Sequence, residues 1–299
     1  SADWAFSPSF GVKAGVLDYK TSWCRTYDID SPWVRENDPF CTVVSTSGPS
    51  GGAPGAQAYV NLAVGGYRVQ GIAGAYNPLL MNYNTREISN VTYPLYRVNK
   101  NQKQGMSINV LNLDTATEFR LGLLRAQQGA QVYGGWNTAP FHIEQTYQLA
   151  FAGLSFYITP KLNMRMQTLH HVTNSNNFSY PGALQPHFLS VKNINRTSNV
   201  LELSYQMNPQ DTFALALNRY DFDAQKTQTN FPFSGYTYDP HFYQYQQSAM
   251  SAAWRRDWIR GVFTVFQVTR SRFVLEGTSA GGDQIKSANG LGFRLGYQF

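Results

Sequence analysis

The chain has 299 residues, of which 42% are hydrophobic, 15% aromatic and only 14% charged, and it carries a formal net charge of +6 with a mean hydropathy of −0.36. No window approaches the roughly 20 consecutive apolar residues of a membrane-spanning helix, so a helical membrane bundle is excluded. Charge is far below the roughly 25% of ordinary globular domains, and Lys and Arg stand singly without a nucleic-acid motif, so no nucleic-acid partner is expected.

The recurring unit is instead about ten residues of alternating hydrophobicity followed by a connection, the sequence trace of a transmembrane strand. The first unit spans residues 4–16. Trp4, Phe6, Pro8, Phe10, Val12, Ala14 and Val16 share one face, and Asp3, Lys13 and small residues share the other. A Pro-, Gly- and Ser-rich stretch over 18–57 reads as a long extracellular loop. It holds Cys24 and Cys41, the chain's two cysteines. A loop-closing disulfide is expected there in an oxidising compartment, with two free thiols as the plain alternative. No His lies near them, and no metal site or cofactor is expected.

Next comes "AYVNLAVG", with Gly65 and Gly66 suited to a tight turn into "YRVQGIAGAY". Residues 77–104 read as a loop, although "ISNVTYPLYRV" has the pattern of a further hairpin. "MSINVL" and "EFRLGLLRA" follow; the second sets Phe119, Leu121 and Leu123 against Glu118, Arg120 and Gly122. "YQLAFAGLSFYI" is apolar on both faces and has no assignable sides. Beyond the "TPKLN" turn, Leu162, Met164 and Met166 oppose Asn163, Arg165 and Gln167. Further on, Leu201, Leu203, Tyr205 and Met207 oppose Glu202, Ser204 and Gln206, and Phe213, Leu215 and Leu217 oppose Ala214, Ala216 and Asn218. "AMSAAW" turns through "RRD" into "WIRGVFTVFQVTR". The chain closes on "GLGFRLGYQF", where Leu291, Phe293, Leu295, Tyr297 and Phe299 face away from Arg294 and Gln298.

These segments predict a single all-β domain over 1–299: an antiparallel, up-and-down transmembrane β-barrel of twelve strands, or fourteen with the extra hairpin, joined by short periplasmic turns and long extracellular loops. An even count places both termini on the short-turn side. The chain resembles a Gram-negative outer-membrane β-barrel of the porin-like superfamily. Its last strand resembles the signal, here Leu295, Tyr297 and Phe299, by which the barrel assembly machinery recognises such proteins. The resemblance implies residence in the bacterial outer membrane, with lipid and lipopolysaccharide around the barrel. The opening Ser-Ala-Asp-Trp reads as a start left by removal of a signal peptide.

Barrel parity puts charge in the lumen, since Arg or Lys on the lipid face near mid-membrane costs roughly 2–4 kcal/mol. The expected pore lining is Lys13, Glu118, Arg120, Asn163, Arg165, Gln167, His171, Glu202, Gln206 and Arg294. Arg219, which shares parity with Phe213, is the exception, placed to snorkel at a strand end. Such a lining suits passive diffusion or export of small hydrophilic solutes, anions among them, or of a polymer. Ion-pair bracing of a narrow barrel is the bland alternative.

One stretch has an enzymatic alternative. "HHVTNSNN" resembles the His-x-Ser-Asn arrangement of outer-membrane phospholipases and lipid A deacylases, with His171, Thr173 and Asn174 in those places. A His beside a hydroxyl is sound acyl-transfer chemistry, but parity turns both side chains toward the lumen and the hydroxyl is a threonine. No catalytic activity is expected. A soluble β-sandwich that binds carbohydrate through its aromatics is the third reading, and it leaves the patterned last strand unexplained.

Overall fold

The computed structural model describes residues 2–17, 32–34, 53–76, 96–133, 140–179, 188–230, 239–258, 261–276 and 284–297. They form β1 (Ala2–Ser7), β2 (Phe10–Leu17), β3 (Ala53–Val64), β4 (Tyr67–Tyr76), β5 (Tyr96–Asn112), β6 (Glu118–Tyr133) and β7 (Pro140–Thr159). After these come β8 (Leu162–Ser179), β9 (Phe188–Gln206), β10 (Asp211–Asn230), β11 (Asp239–Asp257), β12 (Val262–Glu276) and β13 (Gln284–Tyr297). All belong to one 13-stranded sheet in sequence order, and each strand runs antiparallel to its neighbours. Among the described residues no ladder joins β1 to β13, so the sheet is open at that seam.

The described residues form thirteen strands, against the twelve or fourteen expected. The predicted first strand is a hairpin, with Trp4 paired to Val12 and a turn at Pro8 and Ser9. Ala2 lies opposite Ala14, so β1 starts part-way up β2 and not at the short-turn side. From the second predicted strand onward, predicted and observed strands correspond one to one. β5 starts at Tyr96, inside the stretch 77–104, of which residues 77–95 lie outside the described residues, and β3 begins at Ala53, inside the loop expected over 18–57.

Most strands are longer than predicted. β7 and β10 have 20 residues each, against the roughly 9–11 that cross a bilayer. Their far ends absorb sequence that reads as loop because it is polar and carries no period-2 signal. His142 and His241 lie on β7 and β11. Cys24, Cys41, His187, Gln298 and Phe299 lie outside the described residues.

The two faces of the sheet are sorted opposite to a water-soluble protein. One face carries exposed Phe119, Leu121, Leu123, Phe213, Leu215 and Leu217, and continues through Met250, Phe266, Val268, Phe293 and Leu295 to Leu291, which is 87% exposed. The other face buries Asn163, Gln167, His171, Thr173, Ser198, Glu202, Arg255 and Gln267. Monomers in water rarely expose an apolar patch beyond a few hundred Å², and this one crosses every strand from β5 to β13. Lipid is the solvent that matches it. We call this the outer face and the polar one the inner face. Tyr67, Tyr205, Trp254, Trp258 and Tyr297 border the outer face near the short turns, where amphipathic rings favour a membrane interface.

Short turns obey local rules. Gly65 and Gly66 take φ of 52° and 81° between β3 and β4, the paired positive values of a hairpin turn that glycine adopts without Cβ strain. On the inner face glycine has a second use. A Cβ at Gly122 would fall inside the ring of Phe151, and one at Gly296 inside the ring of Phe263. Each ring thus accounts for one glycine, whereas a Cβ at Gly290 on the last strand would meet only Thr269 Cβ at 4.0 Å.

Candidate functional site

The inner face of β9–β13 is covered by a piece of the first long loop, residues 32–34. Pro32 and Trp33 are buried, Trp33 to 1% exposure, and Val34 packs beside them. The indole packs with Ala214, Ala216, Ala253, Phe263 and Val265. These small side chains alternate with the lipid-facing Phe213, Leu215 and Leu217, and their size leaves room for a ring. Burying a large apolar side chain contributes roughly 1.5–3 kcal/mol, enough to hold a short segment in an otherwise polar interior.

Polar contacts fix its position. Trp33 Nε1 donates to Glu202 Oε2 at 2.7 Å, the Val34 N–H donates to Gln267 Oε1 at 2.9 Å, and Arg294 Nη1 donates to the Trp33 carbonyl at 3.4 Å. Glu202 also accepts from Ser204 Oγ at 2.7 Å and lies 4.0 Å from Arg165 Nη1. A carboxylate that is 1% exposed is costly unless it is paired and hydrogen-bonded; Trp33, Ser204 and Arg165 together meet that need. Arg255 and Arg294 place their guanidinium carbons 4.5 and 5.0 Å from the Phe263 ring centre, within cation–π range.

The inner face of β4–β6 is different. A cavity of about 310 Å³ lies there, lined by Arg68, Gln70, Ser107, Asn109, Glu118 and Arg120 among others. Arg120 Nε donates to Glu118 Oε1 at 2.7 Å, and Asn109 Oδ1 is buried without a hydrogen-bond partner among the described residues. On β2, Lys13 pairs with Asp3 at 3.3 Å and lies over the Tyr59 ring.

Register places Lys13, Glu118, Arg120, Asn163, Arg165, Gln167, His171, Glu202, Gln206 and Arg294 all on the inner face. They do not form one site. Glu202, Arg165 and Arg294 gather around Trp33, Glu118 and Arg120 line the cavity, Lys13 stands apart on β2, and Gln206 is exposed beside a short turn. Sequence reasoning missed Arg68, Lys103, Arg196 and Arg255, which share this face. Lys103 and Arg196 fall in stretches that read as loop and Arg255 in one that reads as turn, and the strand holding Arg68 has no assigned sides. Trp33 carries no signal beyond being an aromatic in a polar loop.

His171 and Thr173 do meet, with Thr173 Oγ1 3.1 Å from His171 Nε2. The other ring nitrogen, Nδ1, lies 3.4 Å from Arg196 Nη1. A guanidinium only donates, so Nδ1 accepts and the ring proton sits on Nε2, pointing at the threonine oxygen. That is the wrong tautomer to take a proton from Thr173. The ring is 1% exposed and stacks on Tyr147 at 6.0 Å and 3°. Among the described residues no group of three His, Cys, Asp or Glu side chains could hold a metal ion.

No family model and no curated protein matches the sequence. Among solved structures, the chain resembles the ferric citrate transporter FecA in its unliganded form, with a TM-score of 0.53 and 12% identity over 83% of this chain and 39% of that one. The siderophore receptor PiuA from Acinetobacter baumannii aligns with a TM-score of 0.49 and 8% identity, over 82% of this chain and 44% of PiuA. The chain thus spans about two fifths of the length of these proteins. At such identity the likeness to FecA carries the fold alone: an up-and-down antiparallel β wall of the barrel type.

Proposed function

We propose that the chain forms the wall of an outer-membrane conduit for small hydrophilic solutes, with a preference for anions, and that the segment at 32–34 narrows it. The observation that carries this reading is the seating of Trp33 on one sector of a polar, basic inner face while, among the described residues, the cavity beside Arg120 stays open. A lumen lined by single guanidiniums lowers the barrier for anions without holding them tightly enough to stop release. The likeness to a barrel named as a transporter supports a transport role in general, and the apolar outer face supports a place in the outer membrane.

Purified protein in planar bilayers tests the reading. Discrete conductance is expected, with a reversal potential in a salt gradient of the sign that marks anion flow. Silence at every voltage would sink the conduit, and cation selectivity would sink the charge argument. The hydrolase alternative draws no support from a histidine whose proton faces the hydroxyl. Incubation with phospholipid or lipid A is expected to release no fatty acid, in the wild type and in His171→Ala alike.

A further inference from the structure

The outer face is not apolar throughout. Register sets two adjacent rows side by side across β6–β12. One row runs Phe119, Leu154, Met166, Leu201, Leu217 and Met250, and it ends on Arg270. The next row, nearer the long connections, runs Thr168, Asn199, Arg219 and Ser248, and it ends on Arg272. A groove of about 810 Å³ follows both rows and is lined by residues of each, within the range of ligand-sized sites. Such a groove is apolar along one border, hydroxyl- and amide-bearing along the other, and cationic at its end.

The cations are unusual for their position. Arg219, Arg270 and Arg272 are exposed on the face that otherwise meets lipid. Arg219 is paired to Asp221 at 3.1 Å, whereas Arg270 and Arg272 have no carboxylate partner among the described residues. Arg219 and Arg272 share a row two strands apart, about 10 Å at ordinary strand spacing. Arg270 is one step below Arg272 on the same strand. Long guanidinium side chains from these points can converge on the same phosphate, and Arg suits planar bidentate recognition of that group.

We propose that this groove binds a phosphorylated glycolipid of the outer leaflet. Its acyl chains would lie along the row from Phe119 to Met250, its sugar hydroxyls against Thr168, Asn199 and Ser248, and its phosphate on Arg270 and Arg272. The site rests on the outer-membrane reading above but not on conduction. An ordinary glycerophospholipid would satisfy the arginines and the apolar row but leave the polar row without sugar partners, so the glycolipid is the better match.

The test uses the full chain in detergent, delipidated and then titrated with purified bis-phosphorylated lipid A, with retention read by native mass spectrometry. The Arg270→Gln/Arg272→Gln double variant is expected to retain it about thirty-fold more weakly, from the worth of two basic residues near an anionic surface. Arg256→Gln, on the same face beside the short turns, is expected to retain it as the wild type does. Dephosphorylated lipid A and phosphatidylglycerol are expected to bind more weakly than lipid A. Equal retention by the double variant would overturn the site, and equal retention of phosphatidylglycerol would overturn the glycolipid assignment. Heat-modifiable migration in gels checks that each variant is folded. A protein that enters no bilayer would instead refute the membrane reading, a result separable from loss of lipid binding.

Discussion

Two sectors of the inner face use the same residue types to opposite ends. On β9–β13, Glu202, Gln267 and Arg294 are occupied by the segment around Trp33, and Glu202 and Gln267 are buried. On β4–β6, Arg68, Asn109, Glu118 and Arg120 surround a cavity that no other described residue fills. The difference is small side chains. Ala214, Ala216 and Ala253 leave a bay for an indole, while the β4–β6 sector presents Gln70, Ile72 and Leu111 with no aromatic segment upon them among the described residues. Charge on a barrel interior is thus no guide to a path for solute; what covers the charge decides. On the conduit proposed above, solute is expected to pass beside Arg120, and the segment at Trp33 is expected to act as a brace.

That contrast can be broken most strongly at Trp33. Trp33→Ala removes the indole from its bay and leaves Glu202 with a lost donor. Stability should fall by about 3–5 kcal/mol, read as a lower midpoint of urea unfolding in lipid vesicles, and single-channel conductance should rise. An unchanged conductance would mean that the segment braces the wall without narrowing any path. Glu202→Gln keeps the shape and an acceptor for the indole but removes the buried charge that faces Arg165. A loss of about 1–3 kcal/mol is expected, with a modest gain in anion preference. Arg120→Gln should act in the reverse manner. It should cost about 1 kcal/mol or less yet move the reversal potential toward cations more than Glu202→Gln moves it toward anions. If Glu202 proves the stronger determinant of selectivity, the assignment of the two sectors is inverted.

Much of this was legible in the sequence because lipid imposes a strict period. Strand segments such as residues 118–126 alternate between inner and outer sides without a break, and their parity sorted every charged residue assigned from it to the observed face. The failures have physical causes. The first hairpin was invisible because a two-residue turn at Pro8 and Ser9 plus an irregularity between Ala5 and Ser7 leaves the alternation unshifted. Trp4, Phe6 and Phe10 remain exposed on the outer side either way. "YQLAFAGLSFYI" had no assignable sides because its inner residues Leu149 and Phe151 pack with Leu124 and Leu169 into an apolar cluster inside the wall. The rule that the apolar face excludes arginine also failed beyond Arg219. Arg125, Arg270 and Arg272 carry outer-face parity toward the long connections and Arg256 beside the short turns, the levels where lipid head groups and water satisfy charge. Trp33 was out of reach of any periodicity, since a loop residue is placed by the surface it lands on.

Thirteen strands laid alternately up and down have one further consequence. β1 and β13 point the same way along the wall, so any ladder between them would be parallel, with the slanted and slightly weaker hydrogen bonds of that arrangement. β2 and β13 point in opposite directions and could meet as ordinary antiparallel partners, but β1 already occupies that edge of β2. The Ala2–Ser7 hairpin arm is therefore a competitor for the position that the final strand would take in a ring of even number. A ring joined through β2 and β13 would require the Ala2–Ser7 arm to leave that edge of β2.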